Sequence, residues 1–248
     1  MNIRLTVDRG NTALKVAIWD AGNQLIASAV DTDGLCAGEL ARTIIPEGHH
    51  DISAIYCSVV QDFRETDIES LHTLAQHVLV LDDATPVPLQ VCYSTPETLG
   101  SDRLAAAVGA VCHIPGRPLL VADVGTAVTY DFVDATGRYL GGNIAPGISM
   151  RLTALHAYTS ALPAVSAEGS CPVWGNSTEE ALRSGTLRGV AAELSYYLRA
   201  AGPTAMAVLT GGSSPLLAAA GVLDFDYILD RCLVHKGLNR ILRYNETL

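Results

Sequence analysis

The hydrophobic pattern of this chain uses one device twice. Residues 119–122 are an apolar, β-favouring run that ends in Asp123, a tight turn of Gly125, Thr126 and Ala127 follows, and residues 128–133 resume as a second β-rich run. Near the N-terminus, residues 3–7 lead in the same way into Asp8, then Gly10, Asn11 and Thr12, and residues 14–19 return. Asp8 aligns with Asp123 and Gly10 with Gly125. The repeat spans about half the chain, too long for a solenoid, and predicts a duplicated domain whose two hairpin turns face each other across a cleft. Gly137, the pair Gly141–Gly142 and Pro146–Gly147 read as further turns.

The remaining pattern fills in each half. Strands are expected at 24–30, 52–60, 78–81, 89–93 and 205–209, and helices at 40–45, 68–77, 104–112, 148–157, 215–220 and 233–242. A long helix over 177–198 is interrupted by Gly185 and Gly189, and 160–172 reads as loop. Pro115 to Pro118 is the best boundary, giving halves 1–116 and 117–248. Hairpins followed by helices, twice over, describe an α/β duplicated fold.

Composition narrows the classes. Of 248 residues, 49% are hydrophobic and only 17% charged, which describes a globular core rather than a disordered chain. The net charge is −10 and the only lysines are Lys15 and Lys236, which argues against non-specific nucleic-acid binding. The six cysteines are scattered without a CxxC or Cys/His cluster, so zinc is not expected. No signal-peptide region and no run of 18 apolar residues occur, so a cytoplasmic protein without a membrane span is expected.

Chemistry is then sought in the turns. A carboxylate at a strand end beside a glycine turn suits a hydrated Mg²⁺ that also holds phosphates, and the glycines let backbone N–H groups approach phosphate oxygens. Asp is also an ordinary turn former, but its repetition in both halves favours a functional role. No GxxxxGK[ST] or GxGxxG is present, so a nucleotide would be held by these hairpins. Lys15 could reach a phosphate. Gly100-Ser101-Asp102-Arg103 precedes a helix: it suits a plain N-cap, and equally an ionised Asp102 that accepts a hydroxyl proton beside an Arg103 fork for a carboxylate. Ser177 to Glu180 fits a capping box that leaves Thr178 able to touch ligand. The loop Thr210-Gly211-Gly212-Ser213-Ser214 allows close approach of a flat ligand such as adenine, and the histidines are read as structural.

Five motifs in order carry a resemblance. Asp8-Arg9-Gly10-Asn11-Thr12-Ala13-Leu14-Lys15, Tyr93-x-x-Pro96-x-x-Leu99-Gly100-Ser101-Asp102-Arg103, Asp123-Val-Gly-Thr-Ala-Val-Thr129, Gly141-Gly-Asn-Ile-Ala-Pro-Gly147 and Thr210-Gly211-Gly212 together resemble the type III pantothenate kinase family. The resemblance covers nearly the whole chain. It implies an actin/hexokinase-like fold of two ribonuclease-H-like halves with ATP in the cleft, and ATP-dependent phosphorylation of pantothenate, the first step of coenzyme A synthesis. It implies a homodimer that uses Mg²⁺ and a monovalent cation, K⁺ or NH₄⁺. By motif position, Asp8 to Lys15, Thr126, Gly211 and Gly212 would contact ATP, with Asp8 reaching Mg²⁺ through the phosphates. Tyr93, Gly100 to Arg103 and Thr178 would contact pantothenate, Asp102 would accept the proton, and Asp123 would bind K⁺. That last role replaces the Mg²⁺ first read for Asp123. Two rivals remain: a kinase-inactive transcriptional accessory protein of the same family, against which the intact acidic residues argue, and a sugar or acetate kinase, which the Tyr93 to Arg103 motif disfavours.

Overall fold

The computed structural model describes residues 3–46, 48, 51–60 and 64–248. The chain divides into two compact units, Met1–His113 with Cys232–Leu248, and Ile114–Arg231. The expected boundary at 116/117 thus lies near an observed one, but the chain beyond 231 departs from the expectation of a second half running to 248, because it returns to the first unit.

In unit 1 the strands are β1 (Ile3–Arg9), β2 (Leu14–Trp19), β3 (Leu25–Asp31), β4 (Ile52–Ser58) and β5 (His77–Val80), in the order β3-β2-β1-β4-β5. β1, β2 and β3 form an antiparallel meander, while β1–β4 and β4–β5 are parallel. Central strand β1 is buried along nearly its whole length, as expected for a strand covered on both faces. Helices α1 (Ala37–Arg42) and α2 (Arg64–His72) follow β3 and β4, and a two-residue strand β6 (Gln90–Val91) leads towards α3 (Ser101–His113). Leu5, Val7, Leu14, Val16, Ile18, Leu40, Tyr56 and Leu71 share one core.

Unit 2 repeats the arrangement. Its strands are β7 (Leu119–Val124), β8 (Ala127–Val133), β9 (Arg138–Pro146), β10 (Met206–Thr210) and β11 (Tyr227–Leu229), ordered β11-β10-β7-β8-β9. β7–β8 and β8–β9 are antiparallel; β10 pairs parallel with both β7 and β11. Each β-strand of unit 1's sheet therefore has a counterpart, and Asp8 and Asp123 are both penultimate in the first strand of their sheet. Helices α4 (Ile148–Ala157), α5 (Thr178–Ala201) and α6 (Ser214–Ala219) complete it, with a core of Leu120, Val128, Ile148, Leu187, Leu194 and Leu209.

Two strands escaped the sequence pattern. The glycine pair 141–142 lies inside β9, paired with Phe132 and Asp131 where the register shifts, so these glycines mark a bulge and not a turn. β11 has only three residues and is too short for a period to show. Helix α5 runs unbroken through Gly185 and Gly189. At its start Ser177 Oγ accepts from Glu180 N, but Glu180 Oε2 accepts from Asn176 N, so only one arm of the expected capping box forms.

Helix α7 (Leu233–Asn245) carries the chain back into unit 1, where it crosses α3. A Cβ on Gly237 would clash with Ala105 O, and one on Gly109 with Leu233 O. Only bare glycines let the two helix backbones approach so closely. Arg4 Nε also reaches Glu246 Oε2 at 2.9 Å, tying β1 to the end of α7. Among the described residues no helix is long and apolar enough to cross a membrane.

Candidate active site

In unit 1, the turn between β1 and β2 is closed by a hydrogen bond from Gly10 N to Ala13 O, 3.0 Å. Asn11 and Thr12 at its tip are exposed. Asp8 and Lys15 are cross-strand partners across it, and Lys15 Nζ sits 3.1 Å from Asp8 Oδ2. The carboxylate is nearly buried and the ammonium about one-third exposed, so the pair presents its charge at the mouth of the turn.

The second expected cluster lies beside the first. Asp8 is in register with Cys57 of β4. Cys57 Sγ is 3.1 Å from Ser101 Oγ at the start of α3, and Ser101 Oγ donates to Ser58 O at 3.3 Å. Ser101 therefore spends its proton on the carbonyl, and the thiol donates to Ser101. Burial pushes the Cys57 thiol well up, and the charges of Asp8 and Asp102 on its two sides push the same way, which keeps it a donor. Asp102 follows at the second position of α3, where its Oδ1 accepts from Arg103 N at 2.8 Å. The N-terminal end of the helix favours its ionised form. A Cβ on Gly100 would press on that same Oδ1. The Arg103 guanidinium is buried and lies over the Tyr93 ring, 5.9 Å from its centroid, so two residues expected to meet one substrate already meet each other.

Two residues of the expected ATP stretch point elsewhere. The Arg9 side chain turns inward: Nε and Nη2 form a fork on Asp67, both at 2.8 Å, and Nη2 also reaches Leu35 O. Leu14 is fully buried in the unit 1 core. Both side chains are buried, so from these two ATP could meet main chain only.

In unit 2, Asp123 is the penultimate residue of β7 and is paired in register with Thr210. Gly125 N bonds to Ala127 O, closing a turn one residue shorter than its counterpart in unit 1, with Thr126 exposed at its tip. The loop after β10 is laid over this turn: Ser213 N donates to Val124 O, and Gly211, at φ +92°, sits so close that a Cβ would clash with Asp123 Oδ1. The loop can lie this close to the carboxylate only because residue 211 is glycine. Gly212 opens on free space. Thr178, the first residue of α5, is exposed and belongs to this unit.

Cys57, Tyr56, Asp67 and His235 were not singled out from sequence. His235 is buried; its Nδ1 is 2.9 Å from Thr6 Oγ1, which also accepts from Trp19 Nε1 at 3.1 Å. A carboxylate in a polar helix start (Asp67) or a thiol in an apolar run (Cys57) gives no signal until strand order places it beside Asp8 or Arg9.

The strand order of both sheets defines an α/β protein of the actin/hexokinase-like ATPase fold. Solved structures agree: an activator of 2-hydroxyisocaproyl-CoA dehydratase from Clostridium difficile, with bound ADPNP, superimposes with TM-score 0.56 at 13% identity over 99% of this chain and 98% of its own. A Campylobacter jejuni protein named for the Baf family of transcriptional activators gives 0.59 at 21% identity over 98% of both. The chain belongs to the type III pantothenate kinase family, whose model matches residues 4–200. Type III pantothenate kinases from Bacteroides fragilis and Phocaeicola vulgatus are 41% and 42% identical to it, the first over 98% of both chains, the second over 99% of this chain and 100% of the other.

Proposed function

We propose that this chain transfers the γ-phosphoryl group of ATP to the primary hydroxyl of pantothenate, giving 4′-phosphopantothenate for coenzyme A synthesis. The observation that carries the reading is the join through Cys57, which sets the Asp8–Lys15 turn next to the Asp102 helix start inside one unit. Phosphoryl transfer needs in-line placement and charge neutralisation more than a strong base. The turn N–H groups and Lys15 would hold phosphate oxygens. Asp102 would orient the pantothenate hydroxyl and take its proton. Arg103, steadied by Tyr93, would fork the pantothenate carboxylate.

Asp8 would hold Mg²⁺ together with the phosphates, and Asp123, beside Gly211, would hold K⁺ or NH₄⁺; when bound, these ions would neutralise charge on the phosphates. Thr126, Gly211 and Gly212 would line the nucleotide and Thr178 would touch pantothenate. A cytoplasmic homodimer completes the proposal. The homodimer is supported by large apolar side chains exposed on unit 2, Met150, Tyr158, Val173 and Trp174, of which Tyr158 and Trp174 are each 88% exposed.

The test is ADP release coupled to an indicator reaction, with ATP and Mg²⁺, with and without pantothenate, and with K⁺ replaced by Na⁺. Pantothenate-dependent turnover stimulated by K⁺ is expected. ADP release indifferent to pantothenate refutes the substrate.

A further inference from the structure

The Asp67 carboxylate is fully buried, in the first turn of α2, and collects four hydrogen bonds. Two come from the Arg9 fork at 2.8 Å, one from Tyr56 OH at 3.0 Å and one from Ala37 N, at the first residue of α1, at 2.8 Å. Burial holds the Tyr56 phenol up to about 12, so it stays a donor. Arg9 stands between Asp8 and Gly10. Its own carbonyl accepts from Val59 N at 3.2 Å, so this residue is gripped through both side chain and main chain.

A buried ion pair is a poor device for stability alone, because apolar residues of similar volume often serve as well or better. What a two-toothed fork supplies is a fixed orientation. We infer that Asp67 is a positioning residue for the phosphate-binding turn: through Arg9 it sets where Asp8 and the Gly10 N–H stand when ATP arrives. Tyr56 and the start of α1 in turn set Asp67. This rests on the proposed ATP reading of the Asp8 turn.

The experiment measures KM for ATP, KM for pantothenate, kcat and melting temperature in the wild type, in Asp67→Asn, and in the double variant Arg9→Met/Asp67→Met. The double variant removes both charges and fills the volume. A purely structural ion pair predicts a lowered melting point in Asp67→Asn, recovery in the double variant, and wild-type KM values in both. Positioning predicts a KM for ATP raised about tenfold in both variants, with KM for pantothenate within about twofold of wild type. Unchanged KM for ATP, or an equal rise in both KM values, overturns the inference. Should neither variant fold, Tyr56→Phe decides, since it keeps the ion pair and removes one donor: a KM for ATP raised about threefold supports the inference and an unchanged value overturns it. A wild type without pantothenate-dependent turnover removes the ATP reading and this inference with it, whereas an active wild type with indifferent variants removes the inference alone.

Discussion

Cys57 Sγ and Ser101 Oγ stand 3.1 Å apart, and this contact, with the bond from Ser101 Oγ to Ser58 O, joins the strand beside the Asp8 turn to the helix start that carries Asp102. The thiol is fully buried and its ionisation is suppressed by burial and by the charges of Asp8 and Asp102. Thiolates alkylate and buried thiols do not. Iodoacetamide on the native protein is therefore expected to label exposed Cys92 and Cys112 and to spare Cys57 until urea is added. Peptide mass spectrometry reads the order; native labelling of Cys57 at the rate of Cys92 contradicts the packing described.

Asp102 lies at the helix start and is expected to act on a proton and not on affinity. Asp102→Asn keeps the shape and the bond to Arg103 N, so kcat should fall about 10²-fold or more with KM for pantothenate little changed. Near-normal turnover would dismiss Asp102 as the acceptor.

His235 gives the stability a pH dependence. Burial pulls its pKa down to about 4, with Asp8 opposing and Lys15 adding, against 6.5 when exposed. Between those values the unfolded chain binds a proton that the folded chain refuses. Stability from this group is complete above about pH 6.5 and is lost as pH falls towards 4, at about 1.4 kcal/mol per unit and about 3 kcal/mol in all. Urea unfolding between pH 7.5 and 5 should show a steeper acid loss in the wild type than in His235→Gln. Equal slopes would mean that the imidazole titrates normally.

Gly211→Ala sets a methyl against Asp123 Oδ1 at a backbone angle that disfavours any side chain. A loss of about 2 kcal/mol is expected from the strain, together with weakened K⁺ stimulation. Thermal melting and a K⁺ titration of turnover measure the two effects. Unchanged K⁺ response in a folded variant separates Asp123 from the cation.

The repeated strand–turn–strand was legible because a central strand must be apolar on both faces and its acidic end interrupts that run visibly, as at Val7–Asp8 and Ala122–Asp123. Tyr93 and Arg103, ten residues apart in one motif, lie against each other, a contact the motif itself does not state. What escaped notice depends on non-local pairing. Arg9 entered the ATP stretch by motif position alone, and nothing in sequence announces that Asp67 holds its side chain. β9 was read as turns because glycines inside a bulged strand look like punctuation. The return of α7 to unit 1 leaves its trace in Gly109 and Gly237, two glycines whose meaning appears only when their helices cross.

That return also orders events at the ribosome. Unit 2 is one unbroken stretch, Ile114–Arg231, and can close as soon as it emerges. Unit 1 is translated earlier but lacks the helix that seals α3 until Cys232–Leu248 is made. The later-made body should mature first, leaving the earlier one exposed to proteases and chaperones while it waits.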